Sequence, residues 1–355
     1  MLKVGIVGLA QTGKTTLFRI LTKAHGSGLG SSRPEAHVGV VSVPDNRLDR
    51  LSAMFNPRKT IHASVEYVDT AGSVIDVVRA GPQSAALREV QALALVLRAF
   101  EADSGAHTLR RELENVELEL VLSDLAVAEK RLERLEKDVK KQKNPALEHE
   151  LEALRVCKEA LDKQVPLREA SLSEEQERAI RGFTFLSLKP MLYVLNLAEK
   201  DAARTGAAEA IASAAGLRPR SKTAVTAVCG SVEAELAELS EDEAAEFMAS
   251  FGLKEPAIAR LIRASYALLG LISFFTVGED ECRAWTIREG ATAWEAAGEI
   301  HSDIQKGFIR AEVVTYEDLI SCGGIAEARN HGRLRLEGKE YVVKDGEIVH
   351  FRHSS

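Results

Sequence analysis

The sequence predicts an α/β protein with a mostly parallel sheet, into which a helical arm is inserted and after which a small α+β module follows. Over the first 100 residues, apolar runs typical of buried strands alternate with a helical pattern. Residues 114–164 are charged and carry a heptad-like repeat instead, and the strand–helix alternation resumes behind them. We therefore expect three domains, formed by residues 1–113 with 186–272, by 114–185 and by 273–355.

The composition is that of an ordinary globular protein of 355 residues, with 45% hydrophobic and 28% charged residues. The net charge of −7 argues against a generally basic nucleic-acid coat, so any contact with RNA needs a local basic patch. No apolar stretch is long enough to cross a bilayer, and the N-terminus runs directly into a strand, so we expect a cytoplasmic protein with no membrane partner. Four cysteines without close or metal-type spacing are expected to stay reduced: Cys157, Cys229, Cys282 and Cys322.

The expected sheet of the first domain draws on both sides of the arm. Continuous apolar runs such as Ala92–Leu97 suit parallel strands that are buried on both faces. The strand candidates are Leu2–Val7, His37–Val43, Ser64–Val68, Ala92–Phe100, Lys189–Asn196 and Ser221–Val228. Because such strands occur both before and after it, the arm is inserted into the first domain.

The arm is predicted to be an antiparallel pair of helices. Apolar residues in three–four alternation form the a/d seam of a coiled coil: Leu118, Val121, Leu125, Ala128, Leu132, Leu135 and Val139. A shorter matching stripe is formed by Leu147, Leu151, Leu154 and Leu161. The segment Lys140–Pro145 between the stripes is a natural turn. A single exposed helix is the alternative, but the second stripe favours a hairpin.

The C-terminal module is expected to be small and rich in strands. Phe274–Val277 and Cys282–Ile287 indicate a hairpin, and a helix is expected near Thr292–Ile300. Further strands are expected at Arg333–Leu336, Glu340–Val343 and Ile348–Phe351. His301 and Asp303 follow the helix, but no third partner can be assigned to them, so we interpret this pair as structural.

A phosphate-binding P-loop, GxxxxGK[ST], occupies residues Gly8 to Thr15 between the first strand and a helix. In such a loop the backbone N–H groups surround the α- and β-phosphates, and the N-terminus of the helix adds its positive end. Lys14 is placed to reach the β- and γ-phosphates, and the Thr15 hydroxyl is placed to bind Mg²⁺. Since strand and helix flank the loop correctly, nucleotide binding is favoured over a chance glycine-rich turn.

Two further strand ends carry nucleotide signals. Asp69 opens the sequence Asp-Thr-Ala-Gly, where it can hold Mg²⁺, and the Gly72 N–H can sense a γ-phosphate. This short pattern is usually only a turn, but its place downstream of a P-loop supports the functional interpretation. Asn196-Leu-Ala-Glu199 stands where guanine-specific proteins carry Asn-Lys-x-Asp, with glutamate in place of aspartate. Adenine is therefore favoured over guanine, and a helix cap by Asn196 is the alternative role, which can coexist with base binding.

Together, these motifs resemble those of the YchF/Obg-like ATPase family, a branch of the translation-factor-related P-loop GTPases. Other matching segments are spread along the chain, at residues 39–49, 273–276, 283–287, 306–312, 334–343 and 350–352. The resemblance covers nearly the whole chain in the family's order of domains. It implies a P-loop G domain, an inserted antiparallel α-helical coiled-coil arm and a C-terminal TGS domain with a β-grasp-like fold.

The resemblance also implies an activity. It implies binding of ATP in preference to GTP, slow hydrolysis, and association with ribosomes in the cytoplasm, with Mg²⁺ as the cofactor. We take Lys14 as the catalytic residue. The phosphates would be bound by Gly8, Gln11, Thr12, Gly13, Lys14, Thr15, Thr16 and Gly72. Asn196 and Glu199 would face the adenine, and Thr15 and Asp69 would hold the metal ion.

Departures from the family's pattern affect hydrolysis more than binding. Gln11 stands where the family's P-loop has asparagine, and Arg33 stands where a Mg²⁺-sensing threonine is usual. We expect Arg33 either at the surface or against the γ-phosphate, as an arginine finger supplied in cis. Ser73 begins a segment that replaces the family's glycine-rich switch II, and Cys229-Gly-Ser replaces Ser-Ala-Lys. Three hypotheses stay open: a slow ATPase, a nucleotide-sensing scaffold with little hydrolysis, and a GTP-specific GTPase.

The turn of the arm is basic. Lys137, Lys140, Lys141 and Lys143 cluster there and could contact the phosphate backbone of ribosomal RNA. A solvated hairpin tip is the alternative, and the sequence alone favours it. The TGS domain is the second expected contact with the ribosome, on the basis of the resemblance.

Overall fold

A computed structural model of the chain describes residues 2–25, 30–33, 36–70, 72–79, 84–100, 106–141, 144–217 and 220–354. It divides into two compact units. The first is formed by Met1–Val41 with Val65–Leu268, and the second by Ser42–Ser64 with Leu269–Ser355. Among the described residues, no helix combines the length and the apolar character that a membrane span requires.

The described strands form two sheets, one in each unit. In chain order they are β1 (Leu2–Gly8), β2 (Gly30–Arg33), β3 (Ala36–Ser42), β4 (Lys59–Ile61), β5 (Ser64–Thr70), β6 (Ala92–Ala99), β7 (Met191–Leu197), β8 (Thr223–Val228), β9 (Leu271–Thr276), β10 (Glu281–Arg288), β11 (Phe308–Val314), β12 (Arg335–Glu337) and β13 (Ile348–His353). The sheet of the first unit has the order β2-β3-β5-β1-β6-β7-β8. From β5 through β1, β6 and β7 to β8, every neighbouring pair is parallel. The predicted α/β class with a mostly parallel sheet is confirmed.

The helices complete both units and the arm. In chain order they are α1 (Lys14–His25), α2 (Asn46–Phe55), α3 (Val74–Arg79), α4 (Ser84–Glu89), α5 (Ala106–Lys141), α6 (Pro145–Asp162), α7 (Glu174–Ile180), α8 (Ala208–Ala214), α9 (Gly230–Leu236), α10 (Glu241–Ser250), α11 (Ala257–Leu268), α12 (Ala293–Ile300), α13 (Ser302–Lys306), α14 (Tyr316–Cys322) and α15 (Ile325–Asn330). A 3₁₀ helix over Glu199–Ala207 follows β7 directly. Helix α1 begins inside the P-loop, as the motif requires.

Helices α5 and α6 pack against each other as antiparallel partners. Their direction follows from three ion pairs, in which the earlier Glu129 of α5 meets the later Lys158 of α6, whereas the later Arg131 and Glu136 of α5 meet the earlier Glu150 and Arg155 of α6. Most of the apolar residues predicted for the two seams meet in one cluster between the helices. Helix α6 starts at Pro145, and the Asn144 side chain accepts the Ala146 N–H at 3.0 Å, which explains the turn.

The first turns of α5 belong to the core of the first unit, from before the expected start of the arm at residue 114 to Leu120 within it. Leu109, Val116 and Leu120 are buried in the same cluster as the strands of the sheet. Farther along, the buried Asp124 carboxylate accepts two backbone N–H groups, from Leu186 at 3.0 Å and from Ser187 at 2.6 Å. One continuous helix of 36 residues therefore runs from the core of the unit to the turn of the arm.

The sheet of the second unit has the order β12-β11-β13-β9-β10-β4. Strands β9 and β10 form the predicted antiparallel hairpin, and α12 packs its alanines against Phe274 and Phe351. Strand β11 was not predicted, and a register shift between Phe308 and Arg310 interrupts its alternation. The prediction of a strand over 340–343 is wrong, because this segment makes only one isolated bridge.

The segment Ser42–Ser64 belongs to the second unit, although the sequence led us to place it in the first domain. Strand β4 in this segment pairs in parallel with β10. Arg47 at the start of α2 donates to the Asp345 carboxylate at 2.7 Å and lies over the ring of Phe275. Strand β4 is three residues long and largely exposed, so nothing in its own residues indicates its partner.

Candidate nucleotide-binding site

The carboxyl ends of β1, β5, β6 and β7 lie side by side, so the loops that follow them form one edge of the sheet. The P-loop leaves β1 at this edge, and its backbone turns through Gln11 and Gly13, which have φ values of 61° and 96°. A Cβ on Gly13 would lie 2.5 Å from Nδ2 of Asn196. Glycine is therefore required there both by its backbone conformation and by the close approach of Asn196.

Asn196, at the end of β7, links two loops. Its Nδ2 donates to the Thr12 carbonyl at 3.0 Å, and its Oδ1 accepts the Gly230 N–H at 3.1 Å. The side chain is thus bonded to the P-loop on one side and to the start of α9 on the other. Both ends of the Asn196 amide are therefore used by the protein, and its expected contact with the adenine stays a prediction.

Lys14 is buried in the P-loop. Its Nζ donates to the carbonyl of Leu9, five residues earlier, at 2.6 Å. Burial lowers the pKa of Lys14, and the neighbouring Asp69 carboxylate acts in the opposite direction. A desolvated ammonium in such a loop suits an anion, because a phosphate would restore the electrostatic stabilisation that water no longer provides.

Asp69 is buried at the end of β5, beside the P-loop. Burial raises the pKa of its carboxyl group, whereas a hydrogen bond from Thr15 and the charge of Lys14 lower it. Oδ1 of Asp69 has no hydrogen-bond partner among the described residues. A buried carboxylate oxygen without a partner, next to a threonine hydroxyl, is the hard oxygen donor set that Mg²⁺ prefers. The residues present therefore fit a magnesium ion.

Gly8 is buried in the sheet, whereas three other predicted site residues lie at more open positions. Thr16 and Glu199 are exposed, and so is Gly72, whose φ is 92°. The Ser73 hydroxyl accepts the Ile75 N–H at 3.3 Å at the start of α3. Arg33 ends β2, but its side chain lies outside the described part of the structure, so both of its expected roles stay predictions. Lys143 also lies outside the described residues.

Several residues that organise this edge of the sheet were missed in the sequence. Buried Glu233 of α9 accepts the N–H groups of Ala257 and Ile258 at the start of α11, at 2.7 and 3.3 Å. Arg79 of α3 donates to Glu119 of α5 at 3.0 Å. These contacts join residues that are more than twenty positions apart and follow no spacing rule. By contrast, His301 accepts the Asp303 N–H at 3.2 Å and caps α13 locally.

The geometry defines the class of protein. A parallel sheet with a P-loop after β1, a buried carboxylate after β5 and an asparagine that ties β7 to the loop is the G domain of a P-loop nucleotide-binding protein. Comparison with known proteins narrows this class. Residues 271–354 match the family model YchF-GTPase_C, described as a protein of unknown function (DUF933).

Full-length relatives identify the family. The chain is 40% identical over 368 residues to the ribosome-binding ATPase YchF of Bacillus subtilis (strain 168), and the match covers 99% of each chain. It is 40% identical over 360 residues to the protein of that name from Escherichia coli O157:H7, covering 98% of each. The structure of the Schizosaccharomyces pombe YchF GTPase superimposes with a TM-score of 0.84, at 28% identity and over 99% of this chain and 97% of that one. The chain belongs to the YchF family.

Proposed function

We propose that the protein is a Mg²⁺-dependent ATPase that hydrolyses ATP slowly and works in contact with the ribosome. The observation that carries the proposal is the grouping of Lys14, Thr15 and the unpartnered Asp69 carboxylate oxygen around the P-loop. The relatives named ribosome-binding ATPases support the nucleotide and the partner.

The P-loop would act mainly by electrostatic stabilisation. With ATP bound, the Lys14 ammonium would exchange the Leu9 carbonyl for phosphate oxygens and follow the charge that develops on the γ-phosphoryl group. The loop N–H groups would stabilise the charge on the β-phosphate. Because they are already oriented before the reaction, they would not have to move during it. No described residue has the position and chemistry of a water-orienting glutamine after Gly72, which agrees with slow turnover.

The metal-binding residues would be Thr15 and Asp69. A bound Mg²⁺ would neutralise charge on the β- and γ-phosphates. The Thr15 hydroxyl would be a direct ligand, and the Asp69 carboxylate would accept from water in the ion's hydration shell or bind it directly. Since burial raises the pKa of Asp69, a nearby divalent cation would also relieve the desolvation of its ionised form.

The preference for ATP over GTP rests on Glu199 in place of the aspartate that pairs with guanine. Asn196 would position the P-loop and the α9 loop around the nucleotide, because its amide is already bonded to both. Glu199 is exposed at the start of the 3₁₀ helix that follows β7, and its carboxylate would meet the edge of the base. The assignment of Glu199 to the edge of the base disfavours GTP as the substrate.

The packing of α3 would couple the nucleotide to the arm. Helix α3 begins two residues after Gly72, and its Val77 and Val78 are buried in one cluster with Val116 and Leu120 of α5. A change at Gly72 on loss of the γ-phosphate would therefore act on the helix that carries the arm.

Calorimetric titration with ATP and with GTP in the presence of Mg²⁺, combined with a phosphate-release assay, tests the proposal. We expect tighter binding of ATP, and a Lys14→Ala variant should bind it roughly 10- to 100-fold more weakly, because a charged hydrogen bond contributes about 1.5–3 kcal/mol. The exposed Lys254→Ala is the matched control. Tighter binding of GTP would refute the assignment of ATP as the substrate. Phosphate release that is unchanged in Lys14→Ala would refute the assignment of the active site to the P-loop.

The nucleotide-sensing scaffold remains the second candidate, and the departure at Ser73 favours it. The Ser73 hydroxyl accepts the Ile75 N–H at the start of α3, and serine lacks the amide with which a glutamine orients a water molecule. The same two assays separate the candidates: a scaffold binds ATP with Mg²⁺ and loses binding in Lys14→Ala, but the wild-type protein releases no phosphate above background.

A further inference from the structure

The solvent-facing side of α5 carries a straight line of positive charge. Lys130, Arg134, Lys137 and Lys141 are all exposed and are spaced by four, three and four residues, so they share one face of the helix. We call these four residues the basic stripe. Because α5 is continuous there, the stripe spans eleven residues, or about 16 Å.

Most of this charge is not neutralised within the arm. In the described part of the chain, the ion pair of Lys137 with Glu133, at 3.3 Å, is the one that involves the stripe, and both partners are exposed. The acidic residues on the flank of α5 toward α6 are engaged elsewhere, Glu129 by Lys158 and Glu136 by Arg155. Two exposed acids, Glu133 and Asp138, lie among the cations of the stripe, so this side of α5 carries four cations against two acids.

The outward face of α6 has the opposite charge. Glu148, Glu152 and Glu159 are exposed and lie four and seven residues apart, so they also share one face. Lys163 pairs with Glu159 at the base of that face. The exposed Arg155 lies between Glu152 and Glu159, so this face of α6 carries three acids against Arg155 and Lys163 and has a small excess of negative charge, whereas the basic stripe has an excess of positive charge. In a protein with a net charge of −7, only the α5 side would attract a polyanion.

We propose that the basic stripe of α5 binds the phosphate backbone of an RNA strand, and that the arm lies with its α5 side against the RNA. At about 3.4 Å of rise per stacked nucleotide, the stripe matches roughly five nucleotides of one strand. An acidic protein is less well matched, since the exposed residues of α5 between 126 and 141 include no aromatic or large apolar side chain that could anchor a protein interface.

This inference rests on the proposed function and changes the expected contact. The sequence pointed to a cluster at the turn, whereas the structure places Lys130 and Arg134 in line with Lys137 and Lys141 along the side of the helix. Lys140 lies off this line. Contact along one side fixes the orientation of the arm, which a cluster at the tip would not do.

The test compares two triple variants of the full chain that remove equal charge from the two sides of the arm. One is Lys130→Gln/Arg134→Gln/Lys141→Gln on the stripe, and the control is Arg155→Gln/Lys158→Gln/Lys163→Gln on α6. Binding of a fluorescein-labelled RNA hairpin of mixed sequence is followed by anisotropy at salt concentrations between about 50 and 200 mM. Circular dichroism and ATP binding verify that each variant folds.

The stripe variant should lower the slope of log Kobs against log[salt] by about 2, because each phosphate contact contributes about 0.7 to 0.9, and should weaken binding on the order of 100-fold near 0.1 M salt. The α6 variant should keep the wild-type slope. Equal changes in both variants, or an unchanged slope in the stripe variant, would overturn the proposal.

Sedimentation of the same proteins with ribosomes separates this proposal from the proposed function. If the wild-type protein fails to sediment with ribosomes, the proposal of a ribosomal partner is wrong. The anisotropy measurement with RNA still tests whether the basic stripe binds RNA. If the stripe variant loses the ribosome but keeps the full salt dependence toward RNA, the stripe binds an acidic protein and the RNA assignment is refuted.

Discussion

Asn196 holds together two loops of the nucleotide site, and its replacement by alanine should separate them. The change removes the bonds to the Thr12 carbonyl and to the Gly230 N–H. The Thr12 carbonyl lies in a buried contact, whereas the Gly230 N–H is only partly buried and can turn to water. A buried group left without a partner costs about 1–3 kcal/mol and a partly exposed one less, so the free energy of unfolding should fall by about 2–4 kcal/mol.

Urea denaturation followed by circular dichroism measures this loss, and calorimetry measures the ATP affinity of the same samples. The P-loop of Asn196→Ala should no longer be held in its binding conformation, so we expect ATP to bind at least about tenfold more weakly, equivalent to about 1.4 kcal/mol. Glu199→Ala is the matched control for the urea measurement, because its side chain is exposed and three residues away. It should change the unfolding midpoint little, and its effect on ATP binding reports on the contact with the base and not on the P-loop. The exposed Lys254→Ala is the control for ATP binding.

The variant Asn196→Asp separates the two bonds. The introduced carboxylate still accepts the Gly230 N–H but cannot donate to the Thr12 carbonyl, which it repels. Protonation restores a donor, so this variant should gain stability relative to Asn196→Ala as the pH falls toward 4, near the ordinary pKa of about 3.9 for aspartate. The reasoning is refuted if Asn196→Ala unfolds at the wild-type urea concentration and binds ATP with wild-type affinity.

Two further predictions concern buried carboxylates. Because burial raises the pKa of Asp69 above its ordinary 3.8, its ionised form destabilises the metal-free fold, and this loss of stability grows as the pH rises through the folded-state pKa. Asp69→Asn should therefore unfold at higher urea concentration near pH 7 while losing the Mg²⁺ dependence of ATP binding, and a variant that keeps this dependence would contradict the metal assignment. Asp124→Ala leaves the N–H groups of Leu186 and Ser187 without their acceptor, so it should lose about 3–5 kcal/mol in urea unfolding, and Asp124→Asn less. Equal losses of stability in Asp124→Ala and Asp124→Asn would show that the side-chain oxygen that accepts these N–H groups does not account for the stability.

Features that depend on local spacing could be predicted from the sequence. The P-loop is one continuous segment whose function requires glycine and lysine at fixed positions, and Gly13 indeed has a positive φ and no room for a Cβ. The coiled-coil seams follow from a period of three and four. The strand ends at Asp69 and Asn196 lie along one edge of the sheet, because the carboxyl ends of parallel strands share that edge. The grouping of the site follows from these rules, while the roles of its residues stay predictions.

Features that depend on distant partners could not be predicted. Strand β11 contains Arg310 and a register shift, and Glu312 on it is buried only because arginines from other segments neutralise it, so its residues do not alternate as a strand should. Strand β4 becomes a strand only by pairing with β10. The second bond of Asn196, to Gly230, likewise joins residues 34 positions apart and leaves no signal in either segment.

The nucleotide site and the basic stripe are connected through helices α3 and α5, and this connection distinguishes the ATPase from the scaffold. Helix α3 follows Gly72 and packs on the first turns of α5, where Arg79 bonds to Glu119. From Glu119 to Lys141 the helix extends about 33 Å, so a tilt of about 10° at its base would move Lys141 by about 6 Å. Such a displacement is comparable to the spacing of neighbouring cations on the stripe and would change its register on a phosphate backbone. An ATPase that signals to the ribosome requires the contact between α3 and α5 to change when the γ-phosphate leaves. A scaffold requires that this contact, once formed on ATP binding, stays unchanged.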